Sequence, residues 1–144
     1  MAVSRAMRRL LQVLEIQEEA CRAAMELARA ELSRLEQAFT RSVERERGGR
    51  RLVAASAVTD EITDRIAGIE EARTAKRMAM ALTPRIADAE LAAHAREREF
   101  LGKRIERRQT ETLIEEAEAL DKTKARRRAQ RDLDAWFLSR RDAP

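Results

Sequence analysis

Residues 7–42 read MRRLLQVLEIQEEACRAAMELARAELSRLEQAFTRS, and the spacing of apolar side chains in this stretch decides the fold. Met7, Leu11, Leu14, Glu18, Cys21, Met25, Ala28, Leu32, Leu35, Phe39 and Ser42 follow one another in alternating steps of four and three. A 3.5-residue period keeps one seam of a helix turned toward a neighbouring helix and imposes a supercoil. Glu18 and Ser42 are polar interruptions of that seam, and charged residues such as Arg22, Arg29, Glu36 and Glu44 take the flanking faces. The pattern predicts a first helix over about residues 3–46.

The rest of the composition agrees with helices that bury only a narrow stripe. Of 144 residues 39% are charged and 3% aromatic, with four Gly and two Pro, so the materials of a thick core and of frequent turns are missing. Alanine, leucine and methionine supply much of the 44% hydrophobic share and are good helix formers. The regular apolar spacing argues against disorder. One cysteine, Cys21, cannot form an intramolecular disulfide, and at a seam position it reads as a small apolar residue. The basic, then apolar, N-terminus MAVSRAMRRLLQVL is interrupted by acids from Glu15 onward, before a signal-peptide core could form. No apolar run approaches the ~20 residues of a membrane span. The expected location is cytoplasmic, with any membrane association peripheral.

Gly48 and Gly49 stand in an Arg-Gly-Gly-Arg motif, and adjacent glycines tolerate the positive φ of a chain reversal. A turn is therefore expected at 47–50. Beyond it Leu52, Ala55, Val58, Ile62, Ile66 and Ile69 share one helical face, predicting a second helix from about residue 51 that lies antiparallel to the first. Pro84 is expected to kink that helix or to open a new one with Thr83 as its N-cap. From Ile86 through Ala89, Ala93, Phe100, Ile105, Leu113, Ala117 and Leu120 the apolar stripe thins and Glu/Arg pairs multiply, as on a more exposed arm. The fold class is all-α: an elongated antiparallel coiled-coil hairpin of two long helices. It is expected as a single domain over 1–144, with a helical arm over about 51–138 disturbed near 83–84. Its seam should contain Leu11, Leu14, Met25, Leu32 and Leu35. Near the glycine turn, Phe39, Val43, Val58 and Ile62 would end a short apolar stripe with little chain left to cover it, a second candidate partner surface.

No catalytic constellation is apparent. His94 has Glu90 and Glu97 near it in helical spacing but no matching set of ligands, and paired carboxylates such as Glu70–Glu71 and Glu115–Glu116 sit among arginines as solubilising charges. Phosphate loops, dinucleotide glycine fingerprints and nucleophile elbows are absent from the sequence. The chain reads as non-enzymatic, without a cofactor or metal. Net charge is +4, but over residues 1–46, 47–83, 84–120 and 121–144 it runs 0, +2, −2 and +4. A basic C-terminal end calls for an acidic partner surface. Arg126, Arg127 and Arg128 could neutralise phosphates, yet they lack interleaved aromatics and a basic region leading into a zipper, so nucleic acid is not the expected partner.

Trp136 and Phe137 follow that basic strip in a chain otherwise poor in aromatics. Two roles are open to them: covering the coiled-coil end near Met7 or Leu11, or anchoring a partner, since Trp and Arg dominate interface hot spots.

The heptad stretch LQVLEIQEEACRAAMELARAELSRLEQ at 11–37, the glycine pair at a third of the length, the long second arm and the terminal RRAQRDLDAWFLSRR at 127–141 together resemble the flagellar FliJ proteins and their YscO-type virulence-secretion counterparts. The tail is most similar to that family's C-terminal signature, here on Gln130, Leu133, Asp134, Trp136, Phe137 and Arg140. The resemblance implies a hairpin stalk of a bacterial type III export apparatus, with an export ATPase, an export-gate membrane protein and export chaperones as partners. It further implies a place at the inner face of the cell membrane. The ATPase contact would fall on Arg126, Arg127, Arg128, Asp134, Trp136, Phe137 and Arg140. A homodimeric coiled-coil scaffold, or a peripheral rotary-ATPase stalk unrelated to secretion, shares the same periodicity.

Overall fold

In the computed structural model, residues 3–142 are described. Two long helices account for nearly all of them, α1 over Arg5–Thr59 and α2 over Ile62–Arg141, and they pack against each other. No strand occurs among the described residues. The N-terminus of α1 is capped by Ser4, whose Oγ accepts a hydrogen bond from the Met7 N–H at 3.1 Å.

The seam expected in α1 is the seam observed. All eleven positions from Met7 to Ser42 are buried or half-buried, with Leu14, Met25, Leu35 and Ser42 the most enclosed. The glycine pair, however, is not a turn. The helix runs straight through it, and the same steps of four and three continue onto Glu46, Gly49, Val53 and Ser56, each buried or half-buried. A Cβ on Gly49 would stand 2.6 Å from the Gly68 carbonyl oxygen and 2.8 Å from the Ala72 nitrogen. One on Gly68 would stand 2.7 Å from the Gly49 carbonyl oxygen. Gly49 is therefore glycine because two helix backbones meet there, a requirement of packing distance that its helical φ leaves as the only explanation. Gly48, beside it, faces open space.

The reversal comes at Asp60–Glu61 instead. Asp60 takes φ 58°, the left-handed conformation that ends a helix, and Asp is among the few residues with a side chain that enter it readily. The Glu61 carbonyl then accepts the Arg65 N–H at 3.2 Å, starting α2. Of the face expected for the second helix, Leu52, Ala55 and Val58 consequently belong to α1, and with Ile62, Ile66 and Ile69 they are exposed. Pro84 neither ends nor opens a helix; α2 continues through it, and Thr83 is an interior residue whose Oγ1 donates to the Ala79 carbonyl at 3.0 Å.

The chain divides into two compact units, residues 21–100 and residues 1–20 with 101–144. The unit of residues 21–100 is a hairpin closed by the Asp60–Glu61 reversal. Toward that reversal its seam is built of small residues, Ser42, Gly49 and Ser56 from α1 with Gly68, Ala75 and Ala79 from α2, and farther away of Met25, Leu35, Leu82 and half-buried Ile86. The seam hydroxyls are satisfied within their own helix, Ser42 Oγ on the Ala38 carbonyl at 3.0 Å and Ser56 Oγ on the Val53 carbonyl at 2.7 Å. Across the hairpin Arg45 Nε donates to Glu71 Oε1 at 2.7 Å and Arg29 Nη2 to Glu97 Oε1 at 3.1 Å.

In the other unit Leu14 from α1 and Thr110 and Ile114 from α2 are the most enclosed residues. The seam interruption at Glu18 finds its partner here: Arg107 Nε donates to Glu18 Oε2, and Arg107 Nη1 to Glu111 Oε1 at 2.7 Å. Arg8 lies 3.7 Å from Glu118. Side chains of Arg107 and Glu18 are 21% and 16% exposed, so this pair is half-buried.

Candidate partner surfaces

Burial along α2 ends at Asp121, and every described residue from Lys122 to Asp142 is exposed. α1 begins at Arg5 and Arg8 lies opposite Glu118, so no described turn of α1 stands beside α2 beyond Asp121. After Ile114, Ala117 and Asp121 the same steps would fall on Lys124, Arg128 and Arg131. The apolar residues of the tail point elsewhere. At 100° per residue, Leu133, Trp136, Phe137 and Arg140 share a face whose centre lies about 160° round the helix from the projected seam. Trp136, Phe137 and Arg140 form one connected group: the Arg140 guanidinium carbon sits 4.3 Å from the Trp136 ring centroid, and the Phe137 ring meets Trp136 edge-on at 5.1 Å and 77°. Trp136 remains 48% exposed and Phe137 64%.

The tail tryptophan does not cover the coiled-coil end. Arg8 pairs with Glu118, and Trp136 lies eighteen residues farther along α2, roughly 27 Å, so Met7 and Leu11 are out of its reach. The three arginines are also not equivalent. Arg126 falls within about 30° of the centre of the Leu133–Trp136–Phe137–Arg140 face, whereas Arg127 and Arg128 fall about 130° to either side. Asp134 is held by Gln130, whose Nε2 donates to its Oδ1 at 2.9 Å.

The second expected surface is not one surface. Phe39 is half-buried in a cleft with Thr40, Thr83 and Ile86, and Val43 is half-buried one turn on. Val58 and Ile62, 88% and 67% exposed, flank the reversal about 22 Å from Val43 along α1. What lies between was not expected from the sequence: a groove of about 330 Å³ with Val53, Ile69 and Ala72 on its floor and Arg50, Arg73 and Lys76 on its rim. Glu46, also lining it, accepts from Arg50 at 2.7 Å. The groove brings together residues on both sides of the reversal, so it became legible only with Asp60–Glu61 as the turn. The misplaced turn hid it.

His94 and Glu90 are exposed, and Glu97 is engaged by Arg29. No group of three or more His, Cys, Asp or Glu suited to a metal occurs among the described residues, nor does a helix long and apolar enough to cross a membrane. No family model matches the chain, and no curated protein or solved structure matches it either.

Proposed function

We propose that the chain is a non-catalytic stalk or adaptor of a bacterial flagellar or type III protein export apparatus, contacting the export ATPase ring through its C-terminal tail. The observation that carries the reading is that tail: about twenty residues of α2 with no described residue of α1 beside them, bearing Arg126 and an aromatic group on a face about 160° round the helix from the projected seam. A helix that leaves its own coiled coil with Arg126, Leu133, Trp136, Phe137 and Arg140 on one side has the chemistry of a helix-in-groove ligand. Arg126 and Arg140 steer it toward an acidic wall, and the Trp136–Phe137 pair supplies desolvated contact. The groove at the reversal, apolar within and cationic at the rim, suits an acidic amphipathic segment of a second partner, the export gate or a chaperone. Membrane association in this reading is peripheral and runs through those partners.

The test is retention of the export ATPase encoded with this chain on immobilised full-length protein, compared with Trp136→Ala and with a chain ending at Asp121. Loss of binding in both variants is expected, with secretion lost in cells that carry them. Undiminished binding and secretion by the truncated chain would remove the tail from the interface and, with it, the support for this role.

A further inference from the structure

Between Lys122 and Leu133 α2 carries six cations and one acid, and every one of these residues is exposed. The preceding part of the helix is mixed in sign: over 84–120 seven cations stand among nine acids. At 100° per residue Lys124, Arg127, Arg128 and Arg131 fall within about 50° of a common direction, opposite the Leu133–Trp136–Phe137–Arg140 face. Asp121, Asp132 and Asp134 lie about 70° or more from that direction, and Ala135, Leu138 and Asp142 end the cationic run on its C-terminal side. Lys124, Arg128 and Arg131 also stand where the seam would continue, so the side of α2 that faces α1 up to Asp121 is cationic beyond it. The tail therefore has two faces of different chemistry, one aromatic with cations among its rings and one of cations alone.

We propose that this second face binds the phosphate backbone of duplex DNA without regard to base sequence. A protein interface takes more than half of its area from nonpolar atoms, and this face offers none, whereas backbone phosphates are bound by charge alone. A bilayer would take up the aromatic side of the tail and leave this one in water. A single strand is held by stacking on aromatic rings, which this face lacks. A duplex fits it. Lys124 and Arg131 stand about 10.5 Å apart along the helix, a length over which B-DNA presents about six phosphates. The major groove, about 12 Å wide, admits a helix that has no described turn of α1 beside it. Three of the four cations are arginines, whose planar forks match phosphate oxygens. Nucleic acid is not expected from the sequence because no basic region joined to a coiled coil is apparent there, yet α2 runs unbroken out of the coiled coil into this strip. The proposal is independent of the secretory role, since a protein on the aromatic face leaves the cationic one free.

Fluorescence anisotropy of a short labelled DNA duplex, titrated with the full-length protein from about 50 to 200 mM salt, tests it. Four phosphate contacts give log affinity a slope of about −3.6 against log salt, a fall of roughly 150-fold over that range. A duplex of scrambled sequence should give the same line. Replacing Lys124, Arg127, Arg128 and Arg131 together by Gln should abolish binding with circular dichroism unchanged, and Arg128→Gln alone should flatten the slope by about 0.9. Lys122→Gln, on the opposite side of the helix, should leave the slope as it is. Absence of binding at about 50 mM salt, a slope indifferent to the quadruple variant, or equal effects of Lys122→Gln and Arg128→Gln would each overturn the proposal. So would phosphatidylglycerol vesicles or polyglutamate binding as tightly as the duplex through the same four residues, which would give the face to lipid or to acidic protein.

Discussion

The two adjacent glycines should respond to the same substitution with opposite signs. Gly48 has open space where a Cβ would go, so Gly48→Ala simply replaces a poor helix former by the best one, a gain of about 0.8–1.0 kcal/mol. Gly49→Ala gains the same propensity but must place its methyl 2.6 Å and 2.8 Å from backbone atoms of Gly68 and Ala72, and backbone cannot rotate away as a side chain would. Overpacking of this kind costs about 1–3 kcal/mol, and displacing a helix along several turns of seam puts it near the upper end. The net expectation is a loss of about 1–2 kcal/mol for Gly49→Ala, against a gain for its neighbour. Urea denaturation followed by circular dichroism at 222 nm measures both. Were the pair a turn with positive φ, both alanines would destabilise, so a loss at Gly48 as well as at Gly49 would refute the continuous helix and the close backbone approach together.

Leu35, 3% exposed, should cost about 2–5 kcal/mol on truncation to Ala, while Leu27, 73% exposed about two turns away, should stay within about 0.5 kcal/mol in the same denaturation assay. At the reversal, hydrogen bonding to Asp64 and its negative charge hold the Glu61 carboxyl above its ordinary value. A carboxyl raised on folding stabilises most at low pH and loses that contribution as pH climbs through its folded value, so Glu61→Gln should raise the melting temperature at pH 7 and lose its advantage on acidification. Glu71 has the reverse sign: its hydrogen bond from Arg45 lowers it below 4.5, so its contribution is present at neutral pH and disappears as pH falls through its lowered value, a dependence that Glu71→Gln should abolish. In the partner-retention assay Arg126→Glu should weaken binding most at low salt, Arg128→Glu should do so much less, and Trp136→Ala should weaken it with little salt dependence.

The seam of α1 was legible because burial in a coiled coil is periodic, and periodicity survives a polar residue such as Glu18 or Ser42. The turn was not, because a glycine pair answers two requirements, positive φ and close backbone approach, that look alike in sequence. The signal that separates them lay in the spacing: Glu46, Gly49, Val53 and Ser56 continue the steps of four and three, and a turn would have broken the count. Asp60–Glu61, in contrast, carries neither Gly nor Pro, and only the tolerance of Asp for left-handed backbone marks it. The tail residues were identifiable by composition, but which of its arginines face with Trp136 required the helix to be known as unbroken to Arg141. The groove at the reversal depended on the turn and was missed with it.

The Glu18–Arg107–Glu111 layer has a consequence for registration. Toward the reversal the Gly49–Gly68 approach already fixes the alignment; in the unit of residues 1–20 with 101–144, a seam of Leu, Ile and Ala would regain its apolar contacts after a slip of one heptad. A half-buried ion pair is not regained. Sliding α2 by seven residues in one direction would bring Ile114 beside the Glu18 carboxylate and leave that half-buried charge without its arginine, a loss that apolar contact does not replace. In that unit the polar interruption thus acts as a key that admits one alignment, so that the point on α2 beside which α1 begins, and the length of tail left free beyond it, are fixed rather than distributed.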